Sequence, residues 1–271
     1  MPKLVETSWP RDGLAVVTLN DPATPNHNIT WQAIGELADA LEAARAAGAR
    51  VTIVASAVEG AWLNHAHLGN LRSLMIGEPV PGDATGWFRA QHELESTDVV
   101  TIAAITGDTS GGGCELGWSC DLRIAETGVL FSQPEVLMGL ATGIGGASRL
   151  RRIIGRAATM EMIVMGLPMS PERLYALGGV NQVTAKGQGL ETAIAWGARL
   201  AAMPPASIAG MKQMLAQGED MTLPAALEND QRIAQGVFRS DDGLARMKSI
   251  QARYDAGEPM REVLWGKNPP S

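Results

Sequence analysis

Three consecutive glycines, Gly111-Gly112-Gly113, follow the apolar run at residues 99–105 and open a stretch of helical character that lasts to about Cys120. A turn without Cβ atoms between a strand and a helix lets backbone N–H groups approach a bound atom, and the helix N-terminus adds partial positive charge. Such a turn suits a phosphate or a carbonyl oxygen that gains charge during reaction. The neighbouring residues separate the two. A nucleotide loop places Lys-Ser/Thr behind its glycines or spaces further glycines for a dinucleotide, and neither pattern is present. Glu115 follows instead, in the first helical turn, where the dipole favours the ionised form a general base needs. A second carboxylate, Glu135, comes after a helix, two short strands and a turn, enough chain to return to the same pocket.

Around this centre the sequence reads as α/β. Residues 14–19 form a short apolar strand ended by Asn20-Asp21-Pro22. Ile34, Leu37, Leu41 and Ala44 recur at helical spacing between Trp31 and Ala47, and Gly48 stops them. Residues 51–55 read as a strand buried on both faces, and strand-helix-strand order implies a parallel, right-handed crossover. A Pro/Gly-rich loop at 77–86 leads to a helix at 87–94, then to the strand at 99–105. Short strands are expected at 122–125 and 129–131, and mostly helix from Gly145 onward, with Ser170-Pro171 as a start and Gly178-Gly179 as a stop. Pro204-Pro205 marks a boundary; residues 206–256 read as three amphipathic helices divided near Gly218 and at Asp241-Asp242-Gly243.

Composition limits the function classes. With 271 residues, 45% hydrophobic and 19% charged, the chain buries a full core without disulfides or structural metal. A formal charge of -7 without a basic cluster argues against a nucleic-acid groove or an anionic membrane surface. Cys114 and Cys120 fall on different faces of one helix and cannot bridge, which suits a reducing compartment. The first residues lack a secretory pattern and no apolar stretch is long enough to span a bilayer, so a cytoplasmic location is expected.

The run Gly-Gly-Gly-Cys-Glu-Leu, with Cys120-Asp121, Phe131-Ser132-Gln133-Pro134-Glu135, Gly145-Gly146 and Arg149-Leu150, resembles the enoyl-CoA hydratase/isomerase (crotonase) family. Phe238-Arg239-Ser240-Asp241 with Gly243 extends the similarity toward the C-terminus. The resemblance implies a crotonase-like spiral of β-β-α units over 1–203, holding the active site, and a C-terminal helical trimerisation region over 204–271. A homotrimer or dimer of trimers follows from it. It also implies an acyl-CoA substrate with no separate cofactor, since coenzyme A is part of the substrate. Ala66 and Gly112 would supply the two backbone N–H groups of an oxyanion hole, each contributing roughly 2.7–4 kcal/mol to the transition state by analogy with measured donors. Glu115 would deprotonate a water for attack at the β-carbon and Glu135 would protonate the α-carbon, so that retention of both favours hydration.

The sequence departs from the family at the first oxyanion segment, Leu63-Asn64-His65-Ala66-His67-Leu68, where the residues flanking Ala66 are histidines and either ring is a candidate substrate contact. Residues 21–29 lack the Arg or Lys that often meets coenzyme A. His65 and His67 as an H-x-H metal pair lack a third ligand, so no metal site is expected. Ser110 is one residue out of register for a nucleophile elbow. Met162, Met165 and Met169 read as core or acyl-pocket lining, and Trp62 and Trp87 as packing, with pocket walls as the alternative. The alternatives to hydration are an isomerase, decarboxylase or C–C hydrolase on another enolate-forming substrate, and a non-catalytic acyl-CoA- or protein-binding homologue.

Overall fold

Apolar, β-branched runs with no polar alternation become the interior strands of one sheet. The structure, a computed structural model, describes residues 3–24 and 26–266. Strands β1 (Val5–Arg11) and β2 (Leu14–Leu19) form an antiparallel pair, with β1 the exposed edge. Helix α1 (Trp31–Ala46) carries the chain to β3 (Val51–Ser56), which lies parallel to β2. Thr30 caps α1 by accepting a hydrogen bond from the Ala33 amide at 3.1 Å, and Trp31, Ile34, Leu37, Ala38 and Leu41 are its buried face. Each large apolar side chain sequestered this way contributes about 1.5–3 kcal/mol.

Helices α2 (Leu68–Met75) and α3 (Gly86–Leu94) precede β4 (Val100–Ile105), whose six residues are all buried. Then come β5 (Thr109–Ser110), α4 (Gly112–Ser119), β6 (Leu122–Glu126) and β7 (Phe131–Ser132). A 3₁₀ turn, Glu135–Met138, is followed by α5 (Gly146–Ile163), α6 (Pro171–Leu177), β8 (Gln182–Thr184) and α7 (Gly189–Ala201). The main sheet has the order β1-β2-β3-β4-β6-β8 and is parallel apart from β1. β5 and β7 form a separate two-stranded parallel pair, with Thr109 opposite Phe131 and Ser110 opposite Ser132.

The chain divides into two compact units, Met1–Ala202 and Met203–Ser271. The second contains α8 (Pro205–Gly218), α9 (Leu223–Phe238), α10 (Asp241–Asp255) and α11 (Met260–Trp265). α8 and α9 approach closely at Gly210, where a Cβ would stand 2.7 Å from Val237. Ser240 caps α10 by accepting from the Gly243 amide at 3.1 Å. The helix divisions expected near Gly218 and at residues 241–243 coincide with these boundaries. Among the described residues no helix is long and apolar enough to cross a membrane.

Several elements differ from the sequence reading, among them β5, the 3₁₀ turn and α11, which it does not contain. The strand expected at 129–131 is Phe131–Ser132, because its register is set by the two residues of β5. α2 has no buried residue and therefore no core stripe to betray it. β8 is three residues long, only half-buried, and is a strand because it pairs with β6.

Arg123, on β6, closes the C-terminal end of α4. Its buried guanidinium donates to the carbonyls of Gly117 (3.2 Å), Cys120 (2.6 Å) and Gly179 (2.7 Å). A cation at a helix C-terminus complements both the orphaned carbonyls and the dipole. Replacing Arg123 with Met is expected to cost about 2–4 kcal/mol, since three buried carbonyls lose a charged donor and Gly117 O keeps only the Cys120 amide. Urea unfolding of the variant measures this; a loss under half a kcal/mol contradicts the role.

Candidate active site

The glycine turn is shaped by what lies against it. Gly111 has φ 50°, a conformation costly for other residues, and a Cβ there would stand 2.7 Å from His65 Cβ and 3.2 Å from Glu135 Oε1. At Gly113 a Cβ would overlap the Leu63 carbonyl oxygen. Segment 63–67 can therefore lie directly on the N-terminus of α4. Its hydrogen bonds hold it there: the Gly113 amide donates to Asn64 O (3.1 Å), Thr109 Oγ1 donates to Leu63 O (2.7 Å), and Ser110 Oγ donates to Asn64 Oδ1 (2.8 Å). The His65 amide donates to Ser110 Oγ at 3.3 Å, so this serine is a strut between two segments.

On its other side the segment bridges Ile29. The Ile29 amide donates to His65 O (3.0 Å) and the His67 amide to Ile29 O (2.8 Å). In this parallel bridge residues 65 and 67 face Ile29, which turns the N–H of Ala66 the opposite way. The Gly112 amide is at the first position of α4, where no intrahelical acceptor exists. Neither amide donates a hydrogen bond among the described residues, and Ala66 and Gly112 line one cavity of about 300 Å³. Two unused donors are thus presented to a single space.

Glu115 and Glu135 line the same cavity. Glu115 Oε1 accepts from the amides of Ile144 (2.9 Å) and Gly146 (2.6 Å). Burial pushes its pKa upward, opposed by those amides, that of Gly143 and the charge of Arg149. The Ile144 carbonyl is held in turn by Arg149 Nη1 at 2.7 Å and by the Gln91 amide. One residue, Ile144, therefore ties Glu115 to α3 and α5 through its amide and its carbonyl.

Glu135 is placed by the β5–β7 pair, which continues in the hydrogen bond from the Gly111 amide to Ser132 O (2.9 Å). Burial, with the negative charge of Glu115 nearby, raises its pKa to about 7. The fully buried Gln133, its amide nitrogen turned toward the carboxyl group, donates to Glu135 Oε1 (2.8 Å) and Oε2 (3.2 Å). Gln133, Gln91 and the amides of residues 143–146 were not singled out from sequence as partners of the acids; Gly145-Gly146 was the signal available.

The two histidines separate. His65 lines the cavity, its Nδ1 paired with Ala66 O (2.9 Å) and its Nε2 with Asn28 Nδ2 (3.1 Å). A carbonyl only accepts, so the proton is assigned to Nδ1 and Nε2 accepts from Asn28. His67 instead caps α2, its Nδ1 accepting from the Asn70 amide at 3.2 Å, and it does not line the cavity. Among the described residues no group of three His, Cys, Asp or Glu is arranged to hold a metal ion. Met162 and Met169 are buried and Met165 is exposed; the cavity methionines are Met75 and Met138, which corrects the pocket-lining option for the former three. Trp62 is core, donating from Nε1 to Val54 O at 3.3 Å, whereas Trp87 is both buried and part of the cavity wall. Cys114 and Cys120 are free and buried, and burial pushes the Cys114 thiol up to about 12.

The sequence matches the enoyl-CoA hydratase/isomerase family over residues 10–255, and the chain belongs to that family. It is 31% identical over 257 residues to a probable enoyl-CoA hydratase of Rhizobium meliloti (strain 1021), covering 93% of this chain and 96% of the relative. It is 28% identical over 259 residues to a probable mitochondrial enoyl-CoA hydratase 2 of Arabidopsis thaliana, covering 95% and 84%. Among solved structures, an enoyl-CoA hydratase subunit I from Geobacillus kaustophilus HTA426 superposes with a TM-score of 0.81 at 25% identity, covering 97% of this chain and 98% of that one. The architecture is the crotonase fold.

Burial of Glu135 carries a stability consequence. The folded protein keeps this proton up to about pH 7, whereas at its ordinary value of 4.5 the unfolded chain has released it. The folded state binds the extra proton in that window, so stability falls as pH rises through it. Glu135→Gln is expected to be more stable than the parent above pH 7, by on the order of 1–2 kcal/mol after allowance for solvent screening, and close to it at pH 4. Denaturant melts at the two pH values test this; an identical offset at both would exclude the buried-proton account.

Proposed function

We propose that the protein is an enoyl-CoA hydratase-like hydro-lyase, adding water reversibly across an α,β-unsaturated acyl-CoA thioester. The observation that carries this reading is the convergence of two unused amides and two buried carboxyl groups on one cavity. In the proposed reaction the thioester oxygen accepts from the amides of Ala66 and Gly112. Glu115, ionised, takes a proton from water as its oxygen bonds to the β-carbon. The displaced π electrons reach the thioester oxygen as an enolate, which fixed backbone dipoles stabilise without reorganisation. Collapse of the enolate draws a proton from Glu135 to the α-carbon. No cofactor is needed, because coenzyme A belongs to the substrate.

The two acids are tuned apart in a way that fits these roles. Glu115 has backbone donors on Oε1 that favour its charged form, while Glu135 is half-protonated near neutrality. A second cavity of about 640 Å³ shares His65 with the first and is walled by Asn26, Asn28, Asn64, Ser110 and Ser132. Glu59, Asp108, Leu130 and Leu137 line it as well, and its asparagines and serines suit the amide-rich arm of coenzyme A. Neither cavity has a lysine or arginine among its lining residues. For the second unit we propose trimer formation, supported by exposed apolar side chains such as Leu215, Leu223, Phe238 and Leu244.

Loss of the conjugated enoyl-thioester absorbance is expected with the parent enzyme, and kcat is expected to fall by about 10²–10⁴ in Glu115→Gln and in Glu135→Gln. The hydration rate should also rise with pH as Glu115 ionises and decline above about pH 7 as Glu135 loses its proton, with both apparent values belonging to the coupled pair. Turnover in either variant matching that of the parent, or a product without added water, rejects the reading.

A further inference from the structure

We infer that the far end of the catalytic cavity selects an uncharged aliphatic acyl tail of medium or greater length, and disfavours a tail whose carboxylate ends inside the cavity. This rests on the acyl-thioester reading above and specifies its substrate class. The first observation is the wall itself. Leu68, Leu71, Leu74 and Met75 of α2 line the cavity, joined by Trp87 and Phe88 of α3. Positions 68, 71 and 75 are spaced i, i+3, i+7 and lie on one helix face, with 74 beside them.

The second observation is where polarity stops. The titratable residues lining the cavity are His65, Glu115 and Glu135, all at the reacting end with the two free amides. No cation lines the far end, so a carboxylate carried there would lose its hydration without gaining a partner, in a cavity already holding two acids. A methylene chain meets no such penalty.

Length follows from the third observation. The apolar wall continues into solvent: Met75 is 69% exposed and Phe88 64%. Each added methylene of a tail growing along this lip covers further hydrocarbon, whereas a two-carbon acyl group leaves the whole wall bare. α2 has no fully buried residue: Leu71 packs against the core, while Leu68, Leu74 and Met75 are exposed and stand outside it. The apolar face of α2 is continuous with the cavity containing Glu115 and Gly112, which identifies the acyl tail as its occupant. An element with so few buried contacts sits at the low end of local stability and yields readily to a longer chain.

Calorimetric titration of the full chain with saturated acetyl-, hexanoyl-, decanoyl- and adipoyl-CoA tests this without requiring turnover. Affinity is expected to rise along the first three, with decanoyl-CoA about thirtyfold or more tighter than acetyl-CoA on the ~0.8 kcal/mol of each buried methylene. Adipoyl-CoA should bind about tenfold or more weakly than hexanoyl-CoA, its equal in carbon number. Leu74→Glu and Met75→Glu should each lower the decanoyl-to-acetyl affinity ratio about tenfold. Amide exchange across residues 68–76 should slow with decanoyl-CoA and not with acetyl-CoA. A flat series, adipoyl-CoA matching hexanoyl-CoA, or an unaltered ratio in both variants overturns the inference. Absence of enoyl-CoA hydration alongside a rising series would reject the proposed reaction and leave the tail preference standing; hydration with a flat series would do the reverse.

Discussion

The close seating of segment 63–67 on the N-terminus of α4 is the contact on which the rest of the site depends. It exists because Gly113 leaves room for the Leu63 carbonyl and because Gly111 adopts a positive φ beside His65. The segment has Ile29 on one side and the glycine turn on the other, and its own hydrogen bonds consume the amides of His65 and His67. The Ala66 amide is left over by geometry, as the first amide of α4 is by helix architecture. Two strong donors without acceptors would be a defect in a packed interior. Here both residues line a cavity instead.

The same logic applies to the carboxyl groups. Burying either acid has an electrostatic cost, and the surroundings distribute that cost differently. Glu115 receives two direct backbone bonds from the loop before α5, and the loop is itself anchored through the Ile144 carbonyl by Gln91 and Arg149. Glu135 is buried beside the negative charge of Glu115, and its proton is held to about pH 7. Two glutamates lining one cavity thus acquire different proton affinities from their surroundings.

Much of the scaffold was legible in the residues. Runs such as Val51–Ser56 and Val100–Ile105 have one physical use, as doubly buried strands, and the spacing of Ile34, Leu37 and Leu41 has one as well. Glu115 was readable because it stands in the first turn after three glycines. What escaped the reading has a common cause: it is specified by partners distant in sequence. The donors to Glu115 are main-chain amides of residues 144 and 146, which carry no side-chain signature. His65 and His67 look equivalent as letters, yet one faces the cavity and the other turns to cap α2. The three-residue β8 is a strand only because β6 offers it an edge. α2 escaped for the opposite reason, since its apolar residues line a cavity and leave no buried stripe.

That last property separates the protein's architecture from its chemistry of choice. Leu68, Leu74 and Met75 lie outside the core, so substitutions at these three positions can reshape the cavity wall while the sheet, the amides and the acid pair stay as they are.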